Sequence, residues 1–216
     1  MLAQQGDHML TTRHPQASFV RGFTLVEMAI AMAIFGLLMA AAMPSIGTWL
    51  DNARIRNVAE SIQSGIQAAR AEAIRRNQSI SFFLVSSDDP AVLDATCKLA
   101  NNSGSWVISV SEPSGHCGAE PSTTVAPMIV QTRAVNDAGG SVTVTALQAD
   151  ATTAATTITF NGFGRITNSG SAISRVDITG VNTGAEYRHL RLALSPTGTV
   201  RMCDPRITDS KDPRKC

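Results

Sequence analysis

The sequence lacks the recurring signatures of catalysis. It has no P-loop lysine motif and no G-x-S-x-G elbow, and Gly162-Phe163-Gly164 stops short of the third glycine of a dinucleotide loop. Those glycines read instead as a turn after a strand ending at Phe160. Histidine is scarce: beyond residue 14 only His116 and His189 occur, one beside a cysteine and one in a strand pattern, and neither suggests a triad. No C-x-x-C pair occurs among the four cysteines, which argues against a structural zinc site. No internal repeat is found. The expectation is a non-enzymatic protein without cofactor or metal.

Charge is missing over one long stretch. From Met28 to Leu50 there is no charged residue, a run of 23, where a bilayer core needs about 20 apolar residues in helical form. Glu27 stands at its edge. A carboxylate at apolar depth costs roughly 2.5–3.5 kcal/mol, so it needs a partner, yet no cation lies within the following helical turns. Trp49 follows the run where an interfacial tryptophan is expected. Met28, Met32, Met39 and Met43 read as adaptable apolar packing.

Arg21-Gly22-Phe23-Thr24-Leu25-Val26-Glu27, ahead of this run, resembles the class III signal of type IV pilins and type II secretion pseudopilins. The resemblance implies cleavage by a prepilin peptidase between Gly22 and Phe23, methylation of the new Phe23 terminus, and a Glu27 that answers the freed amine of a neighbouring subunit. Residues 1–22 are then a leader and 23–50 a transmembrane segment that becomes filament core. Glu27 also lies in the first turn of its own helix, where the macrodipole favours an anion. Two ordinary readings stand beside this one. The first is a secretory signal with Arg13 and Arg21 as its basic region and Ala40-Ala41-Ala42 as its cleavage site. The second is a plain single-span anchor. The uncharged run exceeds the usual secretory apolar region of about 7–15 residues.

The whole chain of 216 residues carries 18 basic and 17 acidic side chains; without residues 1–22 the balance is 16 against 16. The distribution is uneven. Residues 80–187 hold four basic and nine acidic side chains, while residues 188–216 hold seven and three. Cys97, Cys117, Cys203 and Cys216 all lie beyond the apolar run, which suits an oxidising periplasm or cell surface. Three connectivities are open. Cys97 with Cys117 and Cys203 with Cys216 is the favoured pairing, because each closes a local loop without demanding a particular tertiary arrangement. A loop of about 14 residues gains roughly 3 kcal/mol in the chain-entropy model.

Beyond Leu50, Ile55, Val58, Ile62, Ile66, Ala69 or Ala73, and Ile74 recur at helical spacing. Arg54, Arg56, Glu60, Gln63, Gln67 and Arg70 would cover the wet face, and Arg75-Arg76-Asn77 would end the helix. One helix from Phe23 to Asn77 would extend roughly 80 Å, with an interruption expected near Pro44. Strands are expected at 80–85, 106–110, 128–132, 142–147, 156–160, 175–179 and 188–195. A turn at Ser195-Pro196-Thr197-Gly198 then leads into 199–202. Residues 148–157 read as a flexible connection, and Trp106 as core.

A long helix followed by antiparallel strands is the α+β pilin architecture, with residues 51–79 as an amphipathic continuation and 80–216 as a β-rich globular domain. Within it, Ile66 to Asn77 and Ser195 to Pro205, with the ending Asp212-Pro213-Arg214-Lys215-Cys216, are similar to the FimT/GspH group. That resemblance implies a minor pilin of a type IV pilus. Its partners would be other major and minor pilins, the prepilin peptidase, the inner-membrane assembly platform and, before assembly, the lipid bilayer. Its place would be the bacterial inner membrane with a periplasmic C-terminal domain, and then the pilus. A GspH-like pseudopilin of a type II secretion system is the alternative, and an anchored adhesin with a conventional signal the more distant one.

Arg188, Arg191, Arg201, Arg206, Lys211, Arg214 and Lys215 form a basic pole, a candidate DNA-binding surface whose cationic loop would contact several phosphates with an affinity that falls steeply with salt. Some FimT-type pilins bind DNA through a C-terminal G-R-x-R motif; the matching stretch is Gly198-Thr199-Val200-Arg201, so the implication reaches Arg201 and stops. A solvated surface, or one that contacts another minor pilin, is the plainer reading.

Overall fold

The computed structural model describes residues 22–135, 142–182 and 184–216, with the side chains of residues 41–45 outside the description. The expected leader thus lies, up to Arg21, outside the described residues. Two compact units are present, divided between Met43 and Pro44.

Helix α1 spans Leu25–Arg76. Its start is capped by Thr24, and its end is a Schellman turn: Asn77 adopts a left-handed φ of 49°, Asn77 N–H donates to the Ile74 carbonyl, and Gln78 N–H donates to that of Ala73. The helix is unbroken at Pro44, where the sequence predicts an interruption; the division between the units falls there instead. A proline removes one helical hydrogen bond and crowds the preceding turn, whereas many residues on either side sustain the ladder. Among the described residues no helix is long and apolar enough to cross a membrane, and residues 41–45 fall inside the uncharged run.

In the second unit two antiparallel sheets follow the helix. The first contains β1 (Ile80–Ser86), β2 (Lys98–Leu99), β3 (Trp106–Ser109), β4 (Ile129–Arg133) and β6 (Thr157–Phe160), in the order β2-β1-β3-β4, with β6 also on β1. The second contains β5 (Val142–Leu147), β7 (Arg175–Gly180), β8 (His189–Leu194) and β9 (Val200–Cys203), in the order β5-β7-β8-β9. Ile55, Val58, Ile62, Ile66, Ala69 and Ala73 join both sheets in one core, against Phe82, Trp106, Ile158, Phe160, Val176, Ile178 and Leu192. Close approach fixes the helix: a Cβ on Gly65 would stand 2.8 Å from the rings of both Phe82 and Trp106. Trp106 Nε1–H donates to Ser61 Oγ at 3.1 Å.

The other face of the first sheet carries a smaller core of Phe83, Val85, Val107 and Ile129 around Cys97 and Cys117, so β1 is buried on both sides. Disulfides join Cys97 to Cys117 and Cys203 to Cys216.

Three local expectations differ from the structure. Ile74 is 49% exposed while Ala73 is fully buried, because one step along the helix turns the side chain by about 100° off the buried stripe. Arg70, expected on the wet face, donates from Nε to the Gly164 carbonyl at 2.9 Å. Residues 148–157 form a closed turn: Gln148 N–H donates to Thr153 O at 2.8 Å, Asp150 accepts from the backbone N–H groups of Thr152 and Thr153, and Ala155 is buried.

Candidate functional site

The segment around the expected cleavage point, in the first unit, is built by a helix cap. Thr24 N–H donates to Glu27 Oε2 at 3.3 Å, Thr24 Oγ1 lies 3.4 Å from the same oxygen, and Glu27 N–H donates to Thr24 Oγ1 at 3.2 Å. This reciprocal pair is a capping box, which satisfies two donors that the helix leaves open at its start. Sequence reasoning passed over Thr24, although the T-x-x-E spacing was its signal. The carboxylate of Glu27 therefore has a local partner within its own chain. Gly22 and Phe23 precede the cap in exposed backbone, and Phe23 is 81% exposed. A Cβ on Gly22 would meet nothing within 4 Å, so the fold of the described residues does not itself demand glycine there. From Leu25 to Met39 the large apolar side chains are all exposed.

The basic pole is in the second unit. Of the seven cations, Arg188, Arg206 and Arg214 converge with Asn52 and Arg56 of α1 on a cleft of about 570 Å³. Asn52 pins the wall: its Nδ2 donates to Glu186 O at 2.9 Å and its Oδ1 accepts from Arg188 N–H at 2.6 Å. The remaining four point to other partners or to solvent. Arg191 is tied to Asp177 across β7 and β8, Lys215 Nζ donates to Thr208 O at 3.0 Å, and Arg201 stands exposed on β9 opposite Ala193. Lys211 is exposed, with its backbone N–H on Asp209.

Carboxylates moderate the pole. Arg214 forms a two-pronged bond to Asp212, at 3.1 and 2.7 Å, that holds the Asp212 carboxyl down to about 2. The Arg206 guanidinium lies 3.5 Å from Asp204. The Cys203–Cys216 disulfide fastens the loop that carries them, and Asp204 N–H donates to Arg214 O at 2.7 Å inside it. Linear charge counting missed Asn52 and Arg56, which reach the cleft only through folding. Among the described residues no group of three or more His, Cys, Asp or Glu side chains is arranged to hold a metal ion.

Known proteins bear on both regions. Residues 18–43 match the prokaryotic N-terminal methylation motif, and residues 58–198 match the family of the type II transport protein GspH. No curated protein matches the chain. Two crystal structures of the type IV minor pilin FimU of Pseudomonas aeruginosa are similar. One has 14% identity over 75% of this chain and 97% of that chain, with a TM-score of 0.43. The other has 15% identity over 72% and 97%, with a TM-score of 0.40. With more than half of its length inside the GspH match and the methylation motif ahead of it, the chain belongs to the GspH family, among the type IV pilin-like minor pilins and pseudopilins.

Proposed function

We propose that this chain is a minor pilin of a type IV pilus, cut after Gly22, methylated on Phe23, and incorporated into the filament or its initiation complex. One observation carries the reading: the methylation motif at residues 18–43 coincides with a helix whose apolar side chains have no cover of their own. Apolar surface of that extent needs an outside environment. Residues 23–50 would find it first in the inner membrane and then among neighbouring subunits. Glu27, held by Thr24 at the helix start, would exchange that local bond for the amine of an adjoining subunit.

N-terminal sequencing of the mature protein is the test. Methylated Phe23 as the first residue is expected; a terminus near Ala42 would show a conventional signal and remove the reading. Gly22→Ala should abolish the shift from precursor to mature protein, and Glu27→Ala should spare cleavage yet impair entry into filaments.

A GspH-like pseudopilin of a type II secretion system is the second reading, favoured by the family match over residues 58–198. Deleting the gene separates the two: loss of surface pili supports the first, and loss of protein export with pili intact supports the second. DNA contact would rest on the basic pole, where only Arg201 matches the family's G-R-x-R motif. Salt-sensitive DNA binding that Arg201→Ala removes would add it.

A further inference from the structure

Strand β9 leaves part of one edge of the second sheet open. In its hairpin with β8, Ser195 N–H donates to Thr199 O at 3.0 Å, and Leu194 N–H turns away to Ser174 O at 2.9 Å. Antiparallel pairs alternate between facing and averted backbone groups. Arg201 and Cys203 therefore face β8, while Val200 and Met202, opposite Leu194 and Leu192, point their N–H groups and carbonyls outward. Among the described residues those four groups have no partner.

The chain itself shows what this edge accepts. One step further along, Asp204 N–H donates to Arg214 O at 2.7 Å and Asp204 pairs with Lys215 in a parallel bridge, where the Cys203–Cys216 disulfide holds the tail. The tail covers the edge at Asp204 but not at Val200 and Met202. Parts of other edges are covered in the same way: Ala146 of β5 bonds to both Asn101 O and Ala155 N–H, and the carbonyls of Thr157 and Thr159 in β6 accept from Ile173 and Thr167 N–H. An uncovered edge is a template for another strand.

Charge does not choose the occupant. The cleft of about 570 Å³ opens beside Met202 and Leu190, and three of its arginines already have acceptors: Arg56 on Glu60, Arg214 on Asp212, and Arg206 on Asp204 and the Gly184 carbonyl. Glu186 lines it as well. What is left to satisfy is backbone and apolar surface. We propose that an extended segment of a different pilin-like subunit adds to β9 as a further strand, bonding to Val200 and Met202 and turning an apolar side chain into the cleft against Leu190 and Met202. In such additions main-chain bonds give affinity and alternate side chains give specificity. The proposal rests on the assembly of the chain with other subunits, in its pilus or its secretion form. A second copy fits less well, because two β9 edges paired with each other close a two-fold dimer.

The test puts a photo-crosslinking residue in place of Arg201, exposed between the two open positions, in the full-length protein in the producing bacterium. Products are mapped by mass spectrometry, and incorporation into sheared filaments is followed in parallel. Crosslinks to one short segment of another pilin-like subunit are expected. Val200→Pro removes an outward N–H at the first position of the strand, where proline is tolerated, and should lower their yield about tenfold, whereas Val200→Thr keeps the N–H and should leave it within about twofold. Should the proline variant lose its thermal transition in detergent, hydrogen exchange of the unsubstituted protein decides. The amides of Val200 and Met202 should exchange fast in the solubilised subunit and at least about tenfold slower in affinity-purified assemblies, with Arg201 and Cys203 slow in both. Equal exchange at Val200 and Met202 in the two states would overturn the contact, as would a yield indifferent to Val200→Pro in a folded variant. So would crosslinks to a second copy, to nucleic acid or to a protein of another family. If those results accompany normal incorporation, the contact fails and the filament reading stands. The expected crosslink, formed in membranes by a protein that never enters filaments, leaves the contact standing and removes the filament reading.

Discussion

Two stretches of α1 differ in what surrounds them. Between Leu25 and Met39 the large apolar residues are exposed on every side of the helix, whereas between Ile55 and Ala73 one stripe is fully buried against two sheets and the opposite side carries Arg54, Arg56 and Glu60. A helix that is apolar all round needs an apolar environment, and one with a single apolar stripe needs a single packed face. The later stretch finds its face inside the same chain. On the proposed reading, the earlier one finds its surroundings outside, in lipid or among other subunits.

Glycine and isoleucine substitutions sharpen that contrast. Ile62→Ala, in the packed stretch, should destabilise by roughly 2–5 kcal/mol in denaturant titrations of the full chain in detergent, since it opens a cavity in a closed core. Gly65→Ala should cost about 1–3 kcal/mol by pushing a methyl into the Phe82 and Trp106 rings. Gly36→Ala, where a Cβ would meet nothing within 4 Å, should change stability by no more than about 1 kcal/mol, and in the favourable direction. A large loss there in the same titration would break the comparison. Thr24→Ala removes the cap of the exposed stretch and should cost that helix about 1 kcal/mol, read as lower helicity by circular dichroism, with the transition of the packed core unmoved.

The last prediction is read in the acid range. Glu72, largely buried near the end of α1, accepts two bonds from Arg75 at 2.6 and 2.7 Å and a third from Arg76. The Arg75 bond, with that of Arg76, holds its carboxyl down from 4.5 to about 2. Because the folded value lies below the unfolded one, this stabilisation is complete above about pH 4.5 and is lost as the pH falls through 2. Glu72→Gln should therefore flatten the acid limb of the stability curve between those values.

Periodicity made most of the fold legible. The helix end at Asn77 and eight strand positions follow from apolar spacing and turn residues, because half-buried elements write their buried side directly into the sequence. Strand β2 was not legible: Lys98 and Leu99 pair with Ser86 and Val85 across a loop, and two residues carry no period. Arg70 read as a solvent residue because its partner, the Gly164 carbonyl, lies 94 positions away. The N-terminal methylation motif was legible in the sequence, but the capping role of Thr24 was not drawn from it. The basic pole was legible only as a count. Asp177 removes Arg191 from it and α1 adds Arg56, and neither follows from order along the chain.

The contact between Arg70 and Gly164 also involves a third segment. Gly198, at the tip of the β8–β9 turn with φ of 82°, is stacked so tightly on it that a Cβ there would stand 2.5 Å from the Gly164 oxygen and 3.3 Å from Arg70 Nε. Three segments distant in sequence thus share one knot, tied between the helix, the loop after β6 and the turn before β9. Arg70 thus ties the last turns of α1 to one loop beside each sheet, next to the buried stripe that packs on both.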